Sequence, residues 1–304
     1  MRLPDIMPRL FEYNLVTSCL CGASIDKTCE RISKQTSFGA VTFLCCKICG
    51  SYIQSPQITS ESLVTWYNSD DYQGGAKRLG SAYINYENDE STRRLEAQMR
   101  YQRDIKPFLK SRSRVLEVGC ASGTLLSVLR EAGHEVFGVD LSSRFAYMAK
   151  RLYGIDVVVG DFASMTWPTS QIDAVLLLGT ISNLQNLPFA LDCIRAMLKP
   201  NGILIFNYPD ASSFVAKLYG DQFWMFAPSV MSFMTVAGCC DVLSKHGFHV
   251  GRARYDVQRP SLGKLMRHAK LNYVLSIFPQ KWLSSPLPLA IPVPGVRLVL
   301  AQKC

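Results

Sequence analysis

The fold follows from residues 114–126, which read Arg114-Val115-Leu116-Glu117-Val118-Gly119-Cys120-Ala121-Ser122-Gly123-Thr124-Leu125-Leu126. An apolar, β-branched run ends in an acid, a glycine-containing turn follows, and an amphipathic helix is expected to begin near Ser122. This order is typical of a first parallel strand that delivers its carboxyl end to a nucleotide-like ligand. The dinucleotide-binding spacing G-x-G-x-x-G fails here, because its second and third glycines would fall at Ala121 and Thr124. A tight strand-to-helix turn in some other α/β domain is the alternative interpretation.

Strand and helix patterns alternate along the rest of the chain. Apolar runs predict strands at 135–142, 156–159, 172–179 and 203–207, and a last strand at 296–301 that is inserted beside the fifth. The run at 172–179 is almost continuously apolar, which suits a strand buried on both faces. Helices are expected between the strands, as right-handed β-α-β units require. The sequence therefore predicts an α/β fold with a Rossmann-like, mostly parallel sheet of seven strands.

The turn after the first strand, the acids that follow later strands and a Leu-Lys-Pro-x-Gly corner at 198–202 resemble the motifs of class I S-adenosylmethionine-dependent methyltransferases. The resemblance implies that S-adenosylmethionine is the cofactor. It also implies that Asp140 accepts ribose hydroxyls, that Asp161 faces the adenine amino group and that Thr180 lies near the transferred methyl group. The predicted cofactor-binding residues are Glu117, Gly119, Cys120, Ala121, Gly123, Asp140, Leu141, Asp161, Phe162, Gly179 and Thr180.

Composition limits the class of protein. The 304 residues are 48% hydrophobic and 19% charged, which indicates a globular chain. The first eight residues are broken by prolines and an acid, so no signal peptide is expected. The apolar stretch at 287–300 contains three prolines and an arginine, so it is a poor membrane span. A cytoplasmic location is therefore expected, with the 11 cysteines as thiols or metal ligands.

Two cysteine-containing turns in the first sixty residues predict a metal site. Cys19 and Cys21 precede one glycine, and Cys46 and Cys49 precede another. Thiolates at the tips of two such turns can converge on a tetrahedral zinc, which would be structural. The first turn is Cys-x-Cys, one residue shorter than Cys-x-x-Cys. Cys29 or Cys45 could therefore replace a ligand, and a cysteine-rich hairpin without metal is the other alternative.

The order of cysteine turns, connector and motif I resembles bacterial small-molecule methyltransferases with an N-terminal zinc-binding domain, which include sugar C-methyltransferases. The predicted organisation is a zinc-ribbon-like subdomain at 1–60, a helical connector over the cofactor cleft at 61–110 and a methyltransferase domain at 111–304. A lid insertion is expected at about 210–234 and a basic segment at about 251–282. By the same resemblance, Tyr83 and Tyr86 are weak site candidates.

The usual catalytic histidines of the resembled group are missing. Ser182 and Asn183 stand where a Glu-His pair commonly follows the fourth strand, and Val230 stands in place of a lid histidine. Three interpretations follow. The acceptor needs no strong base, or the base comes from elsewhere in the chain. In the third, the chain binds the cofactor without transferring a methyl group. Tyr208 and Asn183 are weak catalytic candidates, and the catalytic residue stays unknown.

The main functional prediction is methyl transfer from S-adenosylmethionine to a small molecule such as a nucleotide-linked sugar or an envelope or secondary-metabolite precursor. An RNA base methyltransferase and a catalytically degenerate S-adenosylmethionine-binding scaffold are the alternatives. The net charge of +9 arises almost wholly in residues 251–304, which carry nine basic and one acidic side chain. This segment predicts an anionic substrate or contact with a membrane surface. Its distance from the cysteine turns argues against nucleic acid.

Overall fold

The computed structural model describes residues 12–25, 29–36, 39–69, 90–220, 223, 226–227, 229–259, 266 and 290–304. Its strands are β1 Tyr13–Asn14, β2 Cys29–Thr36, β3 Gly39–Cys46, β4 Tyr52–Gln54, β5 Gln57–Ile58, β6 Arg114–Val118, β7 Glu135–Asp140, β8 Val157–Val159, β9 Ile172–Leu177, β10 Leu198–Pro209, β11 Ser232–Phe233, β12 Phe248–Gln258 and β13 Ile291–Lys303. Its α-helices are α1 Ser60–Tyr67, α2 Glu90–Arg100, α3 Thr124–Glu131, α4 Ser143–Tyr153, α5 Leu187–Met197, α6 Phe214–Tyr219 and α7 Val236–Lys245.

A seven-stranded sheet in the order β12-β13-β10-β9-β6-β7-β8 forms the centre of the molecule. β13 runs antiparallel to both of its neighbours, and the other strand pairs are parallel. Successive residues of β6 face opposite layers: Val115 packs with α3, whereas Leu116 packs with α5. The predicted α/β, mostly parallel sheet is confirmed, including the insertion of the last strand beside the fifth.

Local signals position the helices around this sheet. Ser142 caps α4, accepting a hydrogen bond from the Phe145 N–H, and Gly154 ends the helix in a left-handed conformation. The end of the predicted helical connector at 61–110 is not one continuous α-helix. α2 is followed by a π-helical turn, Tyr101–Ile105, and a 3-10 turn, Lys106–Phe108. Pro107 has no N–H with which to continue the α-helical hydrogen bonds, so the helix changes type before it ends.

The fifth strand is longer than its apolar core predicted. β10 begins at Leu198 and breaks register with β9 between Leu198 and Ile203, where Asn201 has a φ of 61°. The Lys-Pro-x-Gly corner is therefore a bulge within the strand rather than a loop before it.

The amino-terminal part pairs with a segment from much later in the chain. β2 and β3 form a hairpin, and β4 and β11 extend it to a four-stranded sheet in the order β11-β4-β3-β2. The Phe43 ring lies 4.9 Å from the Phe226 ring and 5.2 Å from the Phe233 ring, measured between centroids. These contacts link the cysteine turns to the region predicted as a lid. The domain boundaries at 60 and 110 stay predictions.

Several predicted features lie outside the described residues, namely Tyr83, Tyr86 and most of the basic segment at 251–282. Within the part of the chain that the structure does describe, no helix is both long and apolar enough to cross a bilayer.

Candidate functional site

A cavity of about 410 Å³ lies at the carboxyl ends of the central strands. This is the edge at which open α/β sheets bind ligands. Ten of the eleven predicted cofactor residues line it, together with Asn183. The ten are Glu117, Gly119, Cys120, Ala121, Asp140, Leu141, Asp161, Phe162, Gly179 and Thr180.

The turn after β6 is held against the loop after β9. Gly119 has a φ of 73°, and the N–H groups of Gly119 and Cys120 both donate to the Val139 carbonyl, at 2.8 and 3.2 Å. A Cβ added at Gly119 would lie 2.2 Å from Thr180 Oγ1. Only glycine therefore suits both the left-handed conformation and the close contact with Thr180. The backbone of this turn therefore lies directly beside the cavity.

Asp140 ends β7 and fixes the same turn from the other side. Its Oδ2 accepts a hydrogen bond from the Ala121 N–H, and its Oδ1 accepts one from the Ser142 N–H, both at 2.8 Å. Burial raises the pKa of Asp140 to about 6, although the two N–H donors favour the charged form. Each carboxylate oxygen keeps acceptor capacity for a hydroxyl in the cavity.

Glu117 is the one motif acid with an unsatisfied oxygen among the described residues. It is buried at the end of β6, and its Oε2 has no hydrogen-bond partner there. Burial raises the pKa of Glu117 to about 8, the charge of Asp140 adds to this, and Arg100 opposes it. An uncompensated acid beside a cavity favours a cationic group in the ligand.

A second cluster of polar side chains, from α2 and from the ends of β10 and β12, lies at the cavity. The Arg100 guanidinium donates to both oxygens of Asp256, at 3.0 and 3.2 Å. The Asn207 amide donates to Asp256 Oδ2 at 2.8 Å, and its carbonyl accepts from the Gly179 N–H at 2.5 Å. This network, with Arg93, Glu96 and Gln258 also on the lining, was not predicted. The sequence contains one signal that could have indicated it. Arg93 and Arg100 are seven residues apart, so they lie on one face of the amphipathic helix.

Helix α1 closes the cavity from the amino-terminal part of the chain. At its first residue, the Ser60 hydroxyl lies 3.1 Å from Asp161 Oδ2 and 2.9 Å from Gln185 Oε1. At its other end, Tyr67 lines the cavity, and its hydroxyl accepts a hydrogen bond from the Asn183 amide at 3.0 Å. The amino-terminal part thus forms one wall of the candidate site.

Two predicted site residues do not face the cavity. Gly123 has a φ of 71°, and a Cβ there would lie 3.1 Å from Ala149 Cβ, so this glycine serves the packing of α3 on α4. Tyr208 is buried among apolar side chains of the opposite layer, with its pKa raised by burial. Side chains alternate along a strand, so Asn207 takes the cavity side of β10 and Tyr208 the other.

None of the histidines among the described residues lines the cavity. His134 precedes β7 and His249 lies at the start of β12, so both are at the opposite edge of the parallel strands. Within the described residues, no histidine at the cavity takes the place of the one that the resembled group carries after the fourth strand.

The four cysteines predicted to bind metal converge. The Sγ atoms of Cys19, Cys21, Cys46 and Cys49 all lie within 4.8 Å of one another. Two of the separations are 3.5 Å, between Cys19 and Cys49, and 3.7 Å, between Cys21 and Cys46. Cys45 is not part of this cluster, and the side chain of Cys29 lies outside the described residues.

Comparison with known proteins identifies the family. A family model described as a methyltransferase domain matches residues 91–252, which is more than half of the chain. The chain is similar to a ubiquinone biosynthesis O-methyltransferase of Bradyrhizobium diazoefficiens, with 25% identity over 162 residues, 51% of this chain and 62% of that protein. The match therefore spans less than two thirds of that relative's length.

Solved structures share the fold. Magnesium protoporphyrin IX methyltransferase from Synechocystis PCC 6803, solved with bound S-adenosylhomocysteine, has a TM-score of 0.53 and 13% identity, covering 81% of this chain and 100% of that one. An S-adenosylmethionine-dependent methyltransferase from Archaeoglobus fulgidus has a TM-score of 0.50 and 20% identity, covering 72% and 99%. With its sheet order, its cavity and the match of the family model, the chain belongs to the methyltransferase-domain family.

Proposed function

We propose that the protein transfers a methyl group from S-adenosylmethionine to a small molecule. The observation that carries this proposal is the convergence of three strand-end acids, Glu117, Asp140 and Asp161, on one cavity beside a glycine turn. The family match supports the reaction class. The chemical class of the methyl acceptor is part of this proposal.

The residues present fit the cofactor. The unsatisfied Oε2 of Glu117 suits the ammonium group of a methionine moiety, which would stabilise the ionised form of this buried carboxyl group. Asp140 would accept the ribose hydroxyls, and Asp161, held by Ser60, would face the adenine amino group. S-adenosylmethionine supplies, when bound, a methyl group on a positively charged sulfur.

The chain contributes positioning rather than strong acid-base chemistry. Asn183 is the weak catalytic candidate that lines the cavity, but an amide side chain does not take up a proton near neutral pH. We therefore infer an acceptor that ionises without a strong base, held in place against the methyl donor. The lack of a cavity-lining histidine among the described residues favours a second candidate function, a scaffold that binds S-adenosylmethionine without turnover.

The proposed acceptor class is a small, anionic molecule such as a nucleotide-linked sugar. Support comes from the order of cysteine turns and motif I in the sequence, which resembles the group that includes sugar C-methyltransferases.

We also propose a structural zinc bound by Cys19, Cys21, Cys46 and Cys49. Zinc–sulfur bonds of about 2.3 Å in a tetrahedron place sulfurs roughly 3.8 Å apart. The Sγ separations of 3.5 Å between Cys19 and Cys49 and 3.7 Å between Cys21 and Cys46 are close to that spacing. The Cys49 carbonyl accepts a hydrogen bond from Thr235 Oγ1 at 2.8 Å, so a metal here would brace the start of α7.

The test is transfer of a labelled methyl group from S-adenosylmethionine to fractionated cell extract. We expect label in the small-molecule fraction, lost in Asp161→Ala and retained in Asp156→Ala. Asp156 lies just before β8 and is exposed, so it is a matched control for the acid that follows the same strand. Label in RNA would contradict the acceptor class. No label with intact cofactor binding would favour the scaffold.

A further inference from the structure

The carboxylate of Asp256 is enclosed behind the cavity. Asp256 lies near the end of β12 and is 0% exposed, and it is not among the described residues that line the cavity. Burial alone would raise the pKa of this carboxyl group, but the charge of Arg100 and the hydrogen bonds that the group accepts lower its pKa below the ordinary value. Asp256 is therefore ionised, and it acts on the cavity only through other side chains.

Three cavity-lining side chains donate hydrogen bonds to this one carboxylate. They are Arg100 of α2, at 3.0 and 3.2 Å, Asn207 of β10, at 2.8 Å, and Gln258 of β12, at 3.4 Å. The Val257 N–H donates to it as well, at 2.9 Å. The carboxylate thus joins α2 to two strands of the central sheet.

An irregularity in the sheet coincides with Asp256. β10 and β12 are not neighbours, because β13 lies between them. The pairing of β12 with β13 shifts register between Tyr255 and Val257, on either side of Asp256. Bulges are common next to active sites, where they redirect a side chain. Here the redirected carboxylate reaches past β13 to Asn207.

The charge of Asp256 fixes which way the Asn207 amide faces, because an ionised carboxylate only accepts hydrogen bonds. The NH2 group of Asn207 points to Asp256, and its carbonyl accepts from the Gly179 N–H at 2.5 Å. Gly179 follows β9 and lines the cavity. A buried carboxylate therefore controls a backbone group of the cavity wall through one amide side chain.

We propose that Asp256 is a positioning residue of the cofactor site, which holds the Asn207 amide, and through it the Gly179 N–H, in the arrangement that binds S-adenosylmethionine. This inference rests on the proposed function, because it takes S-adenosylmethionine as the ligand of the cavity. The same carboxylate holds the Arg100 guanidinium, whose charge favours the ionised form of Glu117. Loss of the negative charge would let the Asn207 amide turn over, and its NH2 group would then face the Gly179 N–H.

The test compares Asp256→Asn with Asp104→Asn. Asp104 is a matched control because it is 3% exposed and accepts hydrogen bonds from Arg103 and from Arg254 of β12, yet it is not among the described residues that line the cavity. Calorimetry measures the affinity of each protein for S-adenosylhomocysteine, and thermal unfolding checks that each is folded at the temperature used.

NMR of the ligand-free proteins reads the Gly179 amide proton directly. Labelling leucine carbonyls with ¹³C and glycine nitrogens with ¹⁵N selects the three Leu-Gly pairs of the sequence, at 79–80, 178–179 and 262–263. The variants Gly80→Ala and Gly263→Ala each remove one of the other two signals, which assigns that of Gly179.

We expect Asp256→Asn to shift the Gly179 amide proton upfield and to bind S-adenosylhomocysteine at least about tenfold more weakly, the worth of one hydrogen bond to a charged group. Asp104→Asn should keep both properties of wild type, even where it unfolds at a lower temperature. If Asp256→Asn does not fold, Asp256→Glu keeps the charge that the buried Arg100 needs and displaces the carboxylate, so it should change both properties in the same direction.

Two results would overturn this role of Asp256 alone. One is wild-type affinity or an unshifted Gly179 amide proton in the folded Asp256 variant, and the other is equal weakening of binding in Asp104→Asn. Absence of S-adenosylhomocysteine binding to folded wild type would refute the proposed function, and this role with it.

Discussion

Gly119→Ala tests how tightly the turn after β6 is fixed. The new Cβ would meet Thr180 Oγ1 at 2.2 Å, Thr180 Cγ2 at 2.8 Å and Thr180 Cβ at 3.0 Å. Alanine must also adopt a φ near 73°. The left-handed conformation alone costs about 1–2 kcal/mol for a residue with a Cβ. The overlap adds to this, because the loop that carries Thr180 has to move.

Gly154→Ala separates the two effects. Gly154 has a φ of 63°, and an added Cβ there meets nothing within 4 Å. This control should lower the free energy of unfolding by about 1–2 kcal/mol and leave the cavity intact. Gly119→Ala should lose at least twice as much, and it should also lose the thermal stabilisation that S-adenosylhomocysteine gives to wild type.

Thr180→Ala in the Gly119→Ala background provides a rescue. It removes Oγ1 and Cγ2 and leaves the contact with Cβ at 3.0 Å, so recovery should be partial. The measurement is thermal unfolding with and without S-adenosylhomocysteine. If Gly119→Ala and Gly154→Ala unfold alike and are stabilised alike by the ligand, the contact with Thr180 does not define the site.

Three further predictions concern the acid, the metal and the wall of the cavity. Burial raises the pKa of Glu117 from 4.5 to about 8, so between these pH values the folded protein holds a proton that the unfolded chain releases. The free energy of unfolding should therefore fall as the pH rises from about 4.5 to about 8. Denaturant titrations at several pH values should show this fall in wild type and a smaller one in Glu117→Gln. Elemental analysis should find zinc in wild type and in Cys304→Ser, which changes an exposed thiol, and not in Cys49→Ser; equal metal in all three would refute the site. Ser60→Ala should weaken S-adenosylhomocysteine binding by up to about tenfold in calorimetry, the worth of one hydrogen bond, whereas Thr65→Ala on the exposed side of the same helix should not.

The sequence predicted the features that depend on local pattern. Strands ending in acids, the glycine turn and the helix caps such as Ser142 are visible in short windows, because strand and helix periods differ and capping residues are few. The two Cys-containing turns belong to the same class of signal. The four Sγ atoms of the predicted ligand set converge in space.

The missed features depend on contacts between distant segments. The wall formed by α1 requires β4 to pair with β11, about 180 positions later, which no local pattern reveals. Arg100 is buried because Asp256, about 150 positions later in the chain, supplies its countercharge. Tyr208 was placed at the correct end of its strand, but the two-residue period of side chains turned it away from the cavity.

The most direct test of the account is calorimetric titration of S-adenosylhomocysteine into wild type and Asp140→Ala. Asp140 accepts hydrogen bonds from the Ala121 and Ser142 N–H groups at the edge of the cavity, so its loss removes the anchor of the turn together with the proposed contact to the ribose. The account predicts micromolar binding to wild type and none to Asp140→Ala at the same concentrations. Absence of binding to folded wild type, or equal binding to both proteins, would contradict it.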